Sequence, residues 1–314
     1  MDALHVGILV SRDLQRQSLD TSGCDLTSGV EVAEALSLLG HRPRMLYADE
    51  HLDLALRAQP VDAAFVCLHG NRGGEGHIQA ALELRQIPFV GPDATSTALA
   101  YDKARCRRTL AFHNIPVPTT VDLTPDEVPD SDALAVLGWP CVIKPRRGAH
   151  GVGVQRVETP RDVRHAVDGA LAISEHLLVE RALPGRELQV IIVDGEVLGM
   201  ADVDRDTGSF AYPSSMSMGR RDGIARLALR AAGVLGLDRH ICRVDVIADP
   251  AGNEWVLEVE PLPPLHRDGA LQRMLKAEGL RFPDLIATLL GRVRPRPGAA
   301  ARTAGATGME LPLH

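Results

Sequence analysis

Aromatic side chains are scarce: five Phe, three Tyr and two Trp in 314 residues. That excludes the stacking platforms on which single-stranded nucleic acids lie, and it leaves the core to Leu, Val, Ala and Ile. No apolar run approaches the roughly 18 residues of a membrane span. Residues Met1 to Val6 carry no basic cluster of the kind that opens a signal peptide. The five cysteines are odd in number, widely spaced and never in a CxxC pair, which argues against a zinc site and a disulfide framework; a reducing cytoplasm is expected. Positive charge is not in excess either. With 34 Lys and Arg against 41 Asp and Glu, the net charge is −7. Such a chain is a poor general binder of DNA or anionic membrane, so any anionic ligand must meet a local basic cluster.

What remains is ordinary globular composition, 45% hydrophobic and 24% charged, which excludes disorder, collagen and coiled coil as descriptions of the whole chain. The length predicts about two folding units or three small ones. Strand and helix signals alternate from His5 to Gly91. His5–Ser11, Arg44–Ala48, Ala63–Leu68 and Pro88–Val90 read as strands. Thr27–Leu39, His51–Ala58 and His77–Arg85 read as helices, the first with Thr27 or Ser28 as its cap and Gly40 as its stop. This βαβ order predicts a parallel sheet covered by helices. Beyond it, Asp102–His113 predicts a helix, and Pro140–Ile143 and Val152–Val157 predict strands around a Gly-rich turn. A helix opens at Thr159 and Pro160, and a strand follows at His176–Glu180. Asp194 and Gly195 mark one hairpin, and Ile241–Ala248 with Glu254–Glu260 form a second. Helices are predicted over Arg221–Leu235, Gly269–Glu278 and Phe282–Leu290. The expected division is 1–95, 96–185 and 186–293, with a tail at 294–314.

Three segments carry chemistry-bearing residues. Along a strand, side chains alternate faces, so Arg243 shares a face with Asp245, and Glu258 with Glu260. A turn at Pro250–Asn253 would set Asp249 opposite Glu254, Asp245 opposite Glu258, and Arg243 opposite Glu260. Opposed like charges are unfavourable on a sheet. A hard cation such as Mg²⁺ between the carboxylates would resolve this, and a solvated face with an Arg–Glu pair is the bland alternative. The second segment delivers Lys144 from a strand into a loop bearing Arg146, Arg147, Gly148, His150, Gly151 and Gly153. Such a loop lets backbone N–H groups approach phosphate oxygens, or is a plain surface turn. It has neither the P-loop lysine pattern nor the third glycine of a dinucleotide fingerprint. The third is His69 to His77, four glycines in seven residues between a buried strand and a helix, where open α/β sheets bind ligands.

Together these residues resemble the D-alanine–D-alanine ligases of the ATP-grasp superfamily. The resemblance runs over roughly residues 5–290. Its ordered markers are Leu68-His69-Gly70, Glu83 to Gly91, Asp102-Lys103, Val142 to Pro145, Val179-Glu180, Gly185 with Glu187, Arg243-Val244-Asp245, and Glu258 with Glu260. It implies an α/β (α+β) ATP-grasp fold of three subdomains: an N-terminal parallel sheet and two α+β parts gripping ATP. It further implies that Lys103 and Lys144 meet the α- and β-phosphates. Gly151 belongs to the loop closing over them, and Glu180, Arg181, Leu183 and Glu187 hold adenine and ribose. Asp245, Glu258 and Glu260 would hold two Mg²⁺ ions (or Mn²⁺), and Arg243 would stabilise charge on an acyl phosphate. A homodimer is typical of the family.

The departures lie at the substrate end. Glu260 stands where the family has Asn, and His150 with Gly151 where it has two serines. A Tyr-Glu-Ala-Lys-Tyr-type segment is missing between Phe210 and Arg221, leaving Arg220 or Arg221 to replace its lysine. The family's Glu for the first amino group aligns near Asp20–Ser22. Its Pro-Gly turn and Ser-Leu pair become Pro261 to Ala270. The expectation is therefore an ATP-dependent carboxylate–amine ligase acting on a different small amino acid-like substrate, such as a cycloserine-type cyclo-ligase. His69, His266 and Arg267 are the substrate candidates, and His150 is a candidate base. The alternatives are true D-alanine–D-alanine ligation, a phosphotransferase, or a non-catalytic ATP-binding protein. No nucleic-acid or membrane partner is expected.

Overall fold

The computed structural model describes residues 3–11, 22–124, 134–148, 151–172, 174–204 and 207–293. Three sheets organise it. The first is parallel, in the order β2-β1-β3-β4, from β1 (His5–Val10), β2 (Arg42–Tyr47), β3 (Ala63–Val66) and β4 (Phe89–Val90). Its strands are joined through α1 (Ser22–Leu38), α2 (Leu52–Ala58), a short α3 (Asn71–Gly74) and α4 (His77–Leu84). The apolar runs of β1 and β3 are buried along nearly their whole length, as a parallel sheet covered on both faces requires.

Helix α1 begins five residues before the expected Thr27. Neither Thr27 nor Ser28 is its cap, since both lie inside the helix, and the Ser28 hydroxyl is buried against His69. Gly29 brings α1 down onto β1: a Cβ there would stand 2.5 Å from Val10 and 2.8 Å from Met45.

The second sheet, β5-β8-β6-β7, is antiparallel. It comprises β5 (Thr120–Leu123), β6 (Cys141–Pro145), β7 (Gln155–Val157) and β8 (Leu177–Arg181), packed on α7 (Val163–Leu171). β5 was not anticipated, and β7 is shorter than the expected Val152–Val157. The third sheet is the antiparallel β11-β10-β9-β12-β13. Its strands are β9 (Arg186–Val193), β10 (Glu196–Val203), β11 (Phe210–Ala211), β12 (Ile241–Ala248) and β13 (Glu254–Glu260). Asp194 (φ 55°) and Gly195 (φ 84°) turn β9 into β10 in the left-handed region that such hairpins need.

Helix α5 (Ala94–Tyr101), also unanticipated, leads through Asp102 into α6 (Lys103–Phe112). Asp102 caps α6 by accepting a hydrogen bond from the Arg105 N–H at 3.1 Å. Leu110 and Ile115 join α8 (Met218–Val234) in a core beneath the third sheet. There Cys242, Val244, Val246 and Ala248 point inward, so Arg243, Asp245 and Ile247 face the other way. The chain ends by returning to the first sheet. Helices α9 (Ala270–Ala277) and α10 (Phe282–Arg292) pack into one cluster with α1 and β1.

Candidate active site

A cavity of about 740 Å³ opens between the second and third sheets. A smaller one, about 170 Å³, is lined by no lysine and no carboxylate. From the second sheet, β6 contributes Lys144 to the large cavity, and β8 with the following turn contributes Glu180, Arg181 and Leu183. From the third sheet come Glu187, Arg243, Asp245, Glu258 and Glu260; Lys103, His69 and Gly151 complete the set.

Strand register explains this gathering. Gln189 of β9 pairs with Asp245 of β12, which pairs with Glu258 of β13, so the three lie in one row. Arg243 opposes Glu260, as expected. The expected Asp249–Glu254 pair does not form. A bulge at Leu257 shifts the register by one, and Ala248 faces Glu254 instead. Asp249 closes the turn by accepting from the Asn253 N–H (2.8 Å) and amide (2.9 Å), which holds its carboxyl down at about 2.

Charge in the cavity is dense and paired. The Arg243 guanidinium grips Asp245 through Nε (2.7 Å) and an Nη (2.9 Å) and stands 3.7 Å from Glu258. Lys103 Nζ donates to the Gly148 carbonyl at 2.6 Å and lies 3.5 Å from Glu258. Lys144 Nζ is 2.7 Å from Glu180. Burial pushes the Asp245 carboxyl up despite Arg243. Burial pushes Glu258 the same way, but Lys103, then Lys144 and Arg243, draw it below its ordinary value. Burial also raises Glu260 and lowers Lys144. The loop after Lys144 is pinned to the start of α6, where Arg146 holds Asp102 with two hydrogen bonds of 2.8 and 2.9 Å.

The substrate candidates fare differently. His69 lines the cavity, but its ring serves the protein. Nδ1 stands 2.7 Å from the Leu262 carbonyl, to which it donates, and Nε2 is 3.3 Å from the Ser28 hydroxyl. Arg267 does not line the cavity; its Nε and backbone N–H donate to Glu31 of α1 at 2.9 and 3.0 Å. His266, half-buried, does not line it either. Arg220 is no replacement for the missing lysine, because Glu254 and the Asp249 carbonyl bind it at 2.9 and 2.7 Å, and Arg221 is absent from the lining. His150 lies outside the described residues.

Sequence reading missed Arg107, buried behind Glu180 at 2.8 Å. Its signal was present: Arg107 follows Lys103 by four positions, one turn along the same helix face. The apolar lining of Val142, Val154, Ile247 and Leu257 was also missed.

The D-alanine–D-alanine ligase from Bacillus anthracis, in a crystal structure complexed with ATP, matches with a TM-score of 0.81 at 22% identity, covering 92% of this chain and 96% of that one. The D-alanyl-alanine synthetase A from Vibrio cholerae matches at 0.80 and 20%, over 93% and 99%. The three-sheet architecture is thus the ATP-grasp fold, with the cavity lying between its second and third sheets.

The family model of the D-ala D-ala ligase C-terminus matches residues 112–291. The D-alanine–D-alanine ligase of Gloeobacter violaceus is 31% identical over 85% of this chain and 93% of its own length, and that of Hydrogenovibrio crunogenus 27% identical over 93% and 90%. The chain belongs to the D-alanine–D-alanine ligase family, and it is an ATP-dependent, ADP-forming ligase of carbon and nitrogen.

Enzymes of this family use ATP with Mg²⁺. Asp245, buried, and Glu258 and Glu260, half-buried, present hard oxygen donors on adjacent strands, the donor chemistry this ion takes. They are not preassembled. Among the described residues no group of three or more His, Cys, Asp or Glu stands ready to hold a metal, because Arg243 and Lys103 now meet the first two carboxylates. The donor chemistry fits the ion, with Arg243 and Lys103 standing against two of the three carboxylates.

Proposed function

We propose that this chain activates the carboxylate of one D-alanine with ATP and joins it to the amino group of a second. The observation that carries the reading is the convergence of Lys103, Lys144, Glu180, Arg243, Asp245 and Glu258 on one cavity, in a chain alignable with D-alanine–D-alanine ligases over most of its length. A carboxylate oxygen of the donor attacks the γ-phosphorus and ADP leaves. The acceptor amine then attacks the acyl phosphate carbonyl, and phosphate departs. Lys103 and Lys144 bind and orient phosphate oxygens, and Arg243 offsets charge growing on the transferred group. Glu180, Arg181, Leu183 and Glu187 seat the nucleoside, with Gly151 in the loop beside the phosphates. Asp245, Glu258 and Glu260 would hold Mg²⁺, two ions in our reading, which supplies charge neutralisation at the phosphates. We propose the cytoplasm, where ATP is supplied, as its compartment. We assign seating of ATP to the parts 96–185 and 186–293, and closure of the substrate end to 1–95.

One observation favours a second reading, in which the acceptor is another small amino acid-like amine. The cavity wall beside His69 is made by Leu262 and Pro264, and a proline offers no N–H to an acceptor carboxylate. No feature of the cavity favours ring closure of the cycloserine kind over joining two molecules. The test is ADP release from Mg-ATP with D-alanine alone, then with pooled D- and L-amino acids. Release with D-alanine and a dipeptide mass supports the first reading. Release only with the pool selects the second, and silence in both removes both of these substrate readings.

A further inference from the structure

Arg107 is 4% exposed, and its guanidinium touches three strands at once. One Nη lies 3.0 Å from the Thr120 hydroxyl of β5. The other donates to the Leu257 carbonyl of β13 at 2.8 Å and stands 2.8 Å from Glu180 of β8. Leu257 is the bulged residue, so this carbonyl has lost its place in the β12–β13 ladder, and Arg107 takes it up. The same Glu180 oxygen is 2.7 Å from Lys144. Two buried cations therefore share one carboxylate oxygen, and of the two only Lys144 lines the cavity.

A lysine held by a buried carboxylate is not free for phosphate. If Lys144 were the only partner of Glu180, drawing it away would strand a buried anion, which is strongly unfavourable. A second cation on that oxygen removes this obstacle. We propose that Arg107 is a positioning residue for the nucleotide: it keeps Glu180 neutralised and in place, so that Lys144 can leave that carboxylate and meet the phosphates. The proposal rests on the reading that the cavity holds ATP. Its direction agrees with the neighbours of Lys144, whose positive charge is disfavoured by burial first and by Arg107 next. Arg107 acts through Glu180 and Lys144 and need not touch ATP.

The test is calorimetric binding of Mg-ADP to the full chain, with thermal melting of each variant as a control for folding. Arg107→Met should weaken binding by about tenfold or more. Measured against Glu180→Gln alone, which removes the charge that Arg107 answers and keeps an acceptor oxygen, the added Arg107→Met should cost about fivefold less than it does in the parent, a recovery read from the double-mutant cycle. Arg107→Lys, which keeps the charge but cannot reach both Thr120 and Leu257, should bind within about threefold of the parent and remains informative if Arg107→Met does not fold. Arg107 acting only as a strut between sheets gives the opposite pattern: no recovery with Glu180→Gln, and a loss for Arg107→Lys as large as that for Met. Either result overturns the proposal. Failure of the parent to bind Mg-ADP would instead overturn the reading of the cavity.

Discussion

At the end of the cavity proposed for the nucleotide, charged side chains from β6, β8, β12, β13 and α6 face one another across a few ångströms. At the other end, beside Leu262 and Pro264, charge is turned inward to hold loops together. His69 binds the Leu262 carbonyl and Ser28; Ser28 also accepts from the Leu265 N–H at 3.1 Å; Glu31 gathers Arg267 and Gln272. One end gathers charged groups around the cavity, where we propose that ATP binds; the other uses them to fix the wall beside it. The difference teaches that polar residues near a cavity are not all aimed into it. It also sets an expected order of effects, from changes that abolish the reaction to changes that reshape the substrate end.

The largest effect belongs to Glu258→Gln. It removes one charge from the row formed with Gln189 and Asp245. ADP formation should fall by about 10³ or more while the melting temperature stays near that of the parent; turnover within tenfold of the parent would show that Glu258 holds no essential ion. Lys144→Ala comes next. Loss of a charge-assisted contact to phosphate should raise the KM for ATP by about 10- to 100-fold, and an unchanged KM would mean that Lys144 stays with Glu180 throughout.

Glu31→Ala probes the other end. It frees Arg267 and Gln272 and loosens the 262–272 wall, at a cost of about 1–3 kcal/mol in stability. The KM for the amino acid should rise while the KM for ATP stays put, so kinetics that move both equally would erase the proposed division between the ends.

The smallest effect concerns acid stability. Burial favours protonated Asp102, but the Arg146 hydrogen bonds and the Arg105 N–H outweigh it and hold the carboxyl below its ordinary value of 3.8. A depressed carboxylate contributes stability that is present above the unfolded value and lost as the pH falls through the folded one. Denaturant titrations should therefore show the gap between the parent and Asp102→Asn closing below about pH 4. A gap that widens there would reverse the sign assigned to Asp102.

These contrasts also mark what could be read from sequence. The β12–β13 hairpin was legible because alternation and a Pro–Asn turn define it, and Arg243–Glu260 and Asp245–Glu258 pair as expected. The pairing of Asp249 with Glu254 was misread because nothing in the local pattern marks Leu257 as a bulge. Ser28 looked like a cap, since a hydroxyl before an amphipathic run usually is one. His69 and Arg267 looked like substrate contacts because their partners, 193 and 236 positions away in sequence, form only when the last helices return to the first sheet. Helical spacing alone held the signal for Arg107, and it was overlooked beside Lys103.

The central claim is that a carboxylate oxygen attacks the γ-phosphorus of ATP. D-Alanine labelled with ¹⁸O in both carboxylate oxygens, incubated with the enzyme and Mg-ATP, tests it directly by mass spectrometry of the released phosphate. The account expects one ¹⁸O atom in each phosphate formed with dipeptide, because the oxygen that attacks phosphorus departs with it when the amine takes the carbonyl. Unlabelled phosphate, formed at the same rate as ADP, would contradict it.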